Sequence, residues 1–121
     1  MMLIKSLAAC PPLVANDGCR IFELLHVKND AIELPYSFAV AEIEPGKHSY
    51  RHRLRQTEVY YVLEGRGRMH IGEDTREVAS GDAVLIPSGV EQWIENVADT
   101  LLRFIAIVSP PWSAGDDERL E

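Results

Sequence analysis

The sequence predicts an all-β fold, a jelly-roll barrel, and three observations carry that prediction. Short apolar or alternating runs such as EVYYVLEG and LLRFIAIV recur along the chain, clusters of Gly, Pro, Asn and Asp break them, and no segment sustains a helical period. With 121 residues, 46% of them hydrophobic, the chain is long enough for one domain with a substantial core and too short for two ordinary ones. Closing such strands into a barrel removes exposed edges and leaves an interior that side chains fill or that holds a small ligand.

Taken in order, residues 1–18 form a Pro-interrupted N-terminal segment with no strand assigned, expected to contribute to a subunit contact. The barrel occupies 19–109. Its strands are predicted at 20–26, 36–44, 50–56, 58–63, 66–71, 76–78, 83–86, 92–96 and 101–108. Turn chemistry separates them at VKNDA, EPGKH, EGRG, GEDT, ASGD, PSG and VADT. The tail 110–121, PPWSAGDDERLE, departs from the strand pattern. Its prolines keep 110–112 extended, Trp112 is expected to anchor on the barrel or on a partner subunit, and the acidic end is expected to be solvated.

The strand through RHRLRQ poses the question of whether three arginines make a polyanion-binding strip. Successive side chains of a strand point to opposite faces, so Arg51, Arg53 and Arg55 share one face while His52 and Leu54 share the other. The arginines then belong to the solvated side and His52 to the interior. A formal net charge of −7 argues against binding nucleic-acid backbones, which needs clustered cations and counterion release. No apolar run approaches a membrane span, and no signal-peptide pattern opens the chain, so a cytoplasmic protein with no membrane partner is expected. Cys10 and Cys19 lack the spacing and the further partners of a zinc site and are expected to be reduced, small buried hydrophobes.

Two motifs carry the chemistry. The first runs Gly46, five residues, His52, Arg53, Leu54, three residues, Glu58, six residues, Gly65. The second runs Gly81, five residues, Pro87, Ser88, Gly89, two residues, Gln92, three residues, Asn96. Gly65, Gly81 and Gly89 stand where tight turns need backbone freedom, Pro87 fixes the turn before the strand of Gln92, and Asn96 ends that strand. Together these motifs resemble those of the cupin superfamily, matching every fold-determining position and two of the four metal-ligand positions. The runs ELPYSFAVAEIEPGKHSYRHRL, GDAVLIPSGVEQWIEN and the closing IVSPPW resemble a group of small single-domain bacterial and archaeal cupins that share the HRL and QW variants.

What the resemblance implies is a cupin barrel, a double-stranded β-helix whose inward His, His, Glu and His hold one divalent metal. Here those positions carry His52, Leu54, Glu58 and Gln92. His52, Glu58 and Gln92 can present one face of an octahedron to zinc, manganese, iron or nickel, whereas Leu54 cannot coordinate, so affinity should fall below that of a four-ligand site. The same three side chains can instead hydrogen-bond one another and water in a metal-free pocket. In that case burial beside Leu54 raises the pKa of Glu58 toward neutrality and makes it a general base. Tyr60 shares the inward face of Glu58 and either donates a proton or hydrogen bond to a ligand or simply fills the core, while Tyr61 points outward. Trp93 faces away from Gln92, His26 is expected to be a satisfied structural histidine, with the alternative that it reaches the pocket from a neighbouring strand, His48 is expected to be an exposed loop residue, with the alternative that it covers the barrel mouth, and His70 lies outside both motifs.

Fold alone does not give function. The leading expectation is a small metal-dependent enzyme acting on a small polar or carboxylated metabolite, with an isomerase, dioxygenase or decarboxylase reaction open; the alternative is a non-catalytic small-molecule-binding or sensing barrel. Outward Tyr61, Leu63 and Trp93, together with Trp112, lead to the expectation of a homodimer.

Overall fold

The computed structural model describes residues 1–15 and 18–121, so two residues of the N-terminal segment, 16 and 17, lie outside the described part. Eleven strands are present among the described residues: β1 Leu13–Val14, β2 Arg20–Leu25, β3 Ser37–Ile43, β4 His52–Leu54, β5 Thr57–Glu64, β6 Arg66–Ile71, β7 Asp74–Ala79, β8 Ala83–Ile86, β9 Glu91–Asn96, β10 Leu102–Ser109 and β11 Asp117–Arg119. Every strand pairing is antiparallel, and the pairings build two sheets, β1-β2-β3-β10-β5-β8 and β11-β4-β9-β6-β7. This is the jelly-roll architecture expected from the alternating pattern. No helix is long and apolar enough to cross a membrane.

Side-chain alternation decides which face is filled. On β5, Glu58, Tyr60 and Val62 are buried while Thr57, Tyr61 and Leu63 are exposed. On β9, Gln92, Ile94 and Asn96 are buried between less buried neighbours. Ile43, Leu54, Val62, Ile86, Ile94 and Leu102 are fully buried, each contributing about 1.5–3 kcal/mol of apolar transfer energy. Stability therefore rests on apolar residues outside the polar site.

Two motif positions show why their residue types matter. Gly65 joins β5 to β6 at φ +84°, and a Cβ there would stand 2.5 Å from the Leu101 carbonyl oxygen, so both conformation and space exclude a side chain. Asn96 donates from Nδ2 to the carbonyls of Ile43 and Thr100, each at 2.8 Å, and accepts the Ala98 backbone N–H at 2.9 Å. It ties the loop before β10 to the end of β3.

Three expectations need correction. The predicted strand 50–56 shrinks to β4, because beyond Leu54 the chain turns: Arg55 donates its backbone N–H to the Asp116 carbonyl and Gln56 donates its amide to Asp116. The acidic tail is not simply solvated. It returns as β11, pairing Asp117 with Leu54 and Arg119 with His52 across the edge of the smaller sheet. His48 is half-buried rather than exposed, its ring edge-on to Trp93 at 5.4 Å.

Trp112 packs on the barrel of its own chain. Its backbone N–H donates to Ser37 Oγ at 3.0 Å, and its carbonyl accepts from His26 Nε2 at 2.7 Å. His26 Nδ1 in turn accepts the Lys28 backbone N–H at 3.1 Å, which fixes the ring as the neutral Nε2–H tautomer. His26 is thus the satisfied structural histidine anticipated, although it reaches the cavity wall described below.

Candidate functional site

A cavity of about 450 Å³ opens between the sheets. It exists because small residues occupy inner positions: Ala39 and Ala106 are cross-strand partners on β3 and β10, and Ala41 opposes Phe104 one step along. Larger side chains there would close the space. Ile21, Leu25, Phe104, Val108 and Trp112 make an apolar wall, and His52, Glu58, Tyr60 and Asp117 set a polar group within it.

The register of β4 and β9 brings two of the sequence-predicted residues together. His52 and Gln92 are direct cross-strand partners, and Leu54 and Gln92 are almost fully buried. Arg53 points away and lies 3.6 Å from Glu118, while Arg51 lies 3.7 Å from Glu91. The arginines of RHRLRQ are therefore the solvated side of the strand, with Arg51 and Arg53 each facing a carboxylate. Gln92 does not line the cavity itself but accepts a hydrogen bond from the Tyr60 hydroxyl at 3.3 Å.

Glu58 is 6% exposed, and its Oε1 is buried without a hydrogen-bond partner, as is Gln92 Nε2. Burial pushes the Glu58 carboxyl up to about 7, against the opposing influence of His52 and the Gln92 amide. Tyr60 is pushed well above its ordinary value by burial and then by Glu58, so its hydroxyl keeps its proton and acts as a donor. Its ring lies 4.4 Å from that of Phe104, which holds the hydroxyl in place.

Asp117 is the site residue that sequence reasoning missed. Its Oδ1 lies 2.9 Å from His52 Nδ1, and its Oδ2 accepts from Trp112 Nε1 at 3.0 Å. Burial alone would raise its pKa, but the His52 hydrogen bond and charge and the Trp112 hydrogen bond outweigh that and hold it below its ordinary value. Asp117 at Nδ1 orients the His52 ring and, when the imidazole is neutral, favours the tautomer protonated at Nδ1. No sequence signal for this existed in the cupin motifs, because the acid arrives from a tail whose composition looks solvated.

These residues fit a divalent metal, with one donor fewer than the full pattern. A metal-ligating histidine commonly gives its second N–H to a carboxylate, as His52 does to Asp117. Glu58 has an unpartnered buried oxygen, and turning the Gln92 amide over exchanges its oxygen and nitrogen without changing its shape, since Tyr60 can accept as well as donate. Among the described residues no three His, Cys, Asp or Glu side chains converge as an ion site, which follows from the amide at Gln92 and the apolar Leu54.

Comparisons with known proteins identify the family. The sequence pattern of the cupin domain matches residues 39–108, more than half of the chain. The chain belongs to the cupin family. A relative from Methanocaldococcus jannaschii, described as an uncharacterized protein, is 36% identical over 91% of this cupin and 88% of its own length. An oxalate-binding protein of Thermotoga maritima is 28% identical over 88% of this chain and 93% of that one. Among solved structures, the polyketide cyclase RemF of Streptomyces resistomycificus superposes with a TM-score of 0.83 at 16% identity, covering 100% of this cupin and 87% of the other chain, a likeness of fold.

The remaining residues singled out in the sequence serve structure. Trp93 stacks on His70 at 3.8 Å, and His70 also contacts Glu95 at 2.9 Å, so both belong to the outer side of the smaller sheet. Cys10 and Cys19 form no disulfide among the described residues; Cys19 is buried in the cavity wall with its thiol 3.6 Å from the His48 carbonyl, and Cys10 is half-buried.

Proposed function

We propose that this cupin is an enzyme that binds a small metabolite with a largely apolar body and a polar or carboxylate group, and moves a proton on it. The observation that carries the proposal is Glu58, a buried carboxyl facing a ligand-sized cavity with a pKa near 7. A carboxyl poised near neutrality both accepts and returns a proton at working pH, which is the condition for efficient general acid–base catalysis. His52 is held in orientation by Asp117, and Tyr60 offers a hydroxyl that remains protonated. The apolar wall excludes water and strengthens these polar contacts.

His52, Glu58 and Gln92 are the residues that would hold a divalent transition metal, zinc, manganese, iron or nickel, which when bound supplies a Lewis acid to polarise a ligand oxygen. Metal analysis of protein purified without added metal tests this part. A near-stoichiometric ion that is lost in His52→Ala supports the metal-dependent form; no ion in the wild type leaves Glu58 as the proton carrier. The alternative, a non-catalytic binding barrel, draws support from the predominantly apolar wall and from similarity to the oxalate-binding protein. Glu58→Gln separates the two: a binder keeps ligand affinity and has no turnover to lose.

Two copies are proposed to pair through the outer face of the larger sheet, where Tyr61, Leu63 and Leu85 are exposed.

A further inference from the structure

We propose that Arg119 and Tyr50 form a carboxylate-recognising mouth to the cavity, so that the ligand presents one carboxylate there and buries an apolar body behind it. This rests on the cavity being the ligand site. The returning strand β11 places alternate residues, Asp117 and Arg119, in the cavity wall. Asp117 orients His52, whereas Arg119 lies with its guanidinium carbon 3.4 Å from the centre of the Tyr50 ring.

The chemistry of that pair points outward to a ligand. Stacking engages the face of a guanidinium and leaves its edge N–H groups available, and a planar fork of N–H donors matches a carboxylate. Arg51 and Arg53, nearby on the outer side, each face a glutamate. Among the described residues Arg119 makes no ion pair, although it is the one cationic side chain lining the cavity. Tyr50 adds a second, independent observation: its hydroxyl is buried and has no hydrogen-bond partner, a costly condition that a ligand oxygen would relieve.

The acidic groups of the same wall do not oppose this. Of the three acids in that wall, Asp117 has both oxygens engaged, by His52 and Trp112, Glu23 lies 2.8 Å from Lys28, and Glu58 stands on β5 in the other sheet from Arg119. The apolar residues Ile21, Leu25, Phe104 and Val108 receive the rest of the ligand. A dicarboxylate or a sugar would leave polar groups buried against them without partners.

Calorimetric titration with 4-phenylbutyrate and with its neutral amide tests the proposal. The wild type is expected to bind the carboxylate about tenfold tighter than the amide, in keeping with a charge-assisted hydrogen bond. Arg119→Gln should bind the two within about twofold of each other, and Arg119→Lys should recover part of the preference. Tyr50→Phe should weaken carboxylate binding while leaving the circular dichroism spectrum unchanged. Equal affinity of the wild type for both probes, no binding of either, or a preference retained in Arg119→Gln overturns the proposal. The proton affinity of Glu58, read without any ligand, stands or falls separately.

Discussion

The Nδ1 atom of His52 lies 2.9 Å from Oδ1 of Asp117, a residue 65 positions later in the chain. The pairing makes the C-terminal segment part of the site, because β11 reaches β4 only by folding back over the cavity. Leu120 closes the same edge, donating its backbone N–H to the Arg51 carbonyl at 2.8 Å.

Replacing Asp117 by Asn should therefore change the histidine and not only the stability. In the wild type at neutral pH, ¹⁵N spectra should show His52 protonated at Nδ1; in Asp117→Asn they should show a mixture of tautomers. Stability should fall by about 1–3 kcal/mol, the worth of a charge-assisted hydrogen bond. Because Asp117 is held below its ordinary value of 3.8, this stabilisation is present above that pH and is lost as the pH drops through the lower folded value. A variant with the wild-type tautomer would show that Asp117 does not position the ring.

Glu58 has the opposite sign. Its folded value of about 7 lies above the ordinary 4.5, so the folded metal-free protein keeps a proton that the unfolded chain releases. Stability is then highest below pH 4.5, declines between 4.5 and 7, and stays low above. Glu58→Gln avoids that decline and should be more stable than the wild type at pH 8 by up to roughly 2–3 kcal/mol, with the difference vanishing in acid. Urea denaturation across this pH range measures it, and parallel curves for the two proteins would be the contrary result.

Adding imidazoles at the two departed ligand positions should strengthen metal binding. Leu54→His or Gln92→His is expected to tighten zinc or manganese by about tenfold or more, read by calorimetry, because each supplies a stronger donor than the residue it replaces. Unchanged affinity in both variants would place any ion elsewhere.

The outer face of the larger sheet carries a continuous apolar row of cross-strand partners, Phe22, Val40, Ile105, Tyr61 and Ala83. Beside it, Leu85 is 65% exposed and Tyr61 42%. Val40 is already buried within the single chain, but a monomer would leave Tyr61 and Leu85 in water. Light scattering at micromolar concentration should give a dimer for the wild type and a monomer for Tyr61→Arg with Leu85→Arg; a monomeric wild type contradicts the pairing.

Much of the barrel was legible because it depends on local rules. Alternation along EVYYVLEG separated buried Tyr60 from exposed Tyr61, and the glycine at 65 marked a turn that tolerates no side chain. The burial of Glu58, and the rise in its pKa that burial causes, also followed from its inward register. The cavity was less legible. Ala39, Ala41 and Ala106 look like ordinary strand residues until cross-strand pairing shows that they share one inner surface. Asp117 and Arg119 were hidden because a Pro- and Asp-containing tail carries no alternation, and only its pairing with a strand some sixty residues earlier gives its side chains a direction. Trp93 was read as packing or interface, and it packs on His70, a contact between strands that spacing does not reveal.

The central claim is that Glu58 is a buried carboxyl that exchanges its proton near neutral pH. A carbon-13 titration of the glutamate carboxyl signals in the metal-free protein measures it directly. One signal, absent from Glu58→Gln, should titrate with a midpoint near 7; if every glutamate carboxyl titrates near the ordinary value of 4.5, the account of the site is wrong.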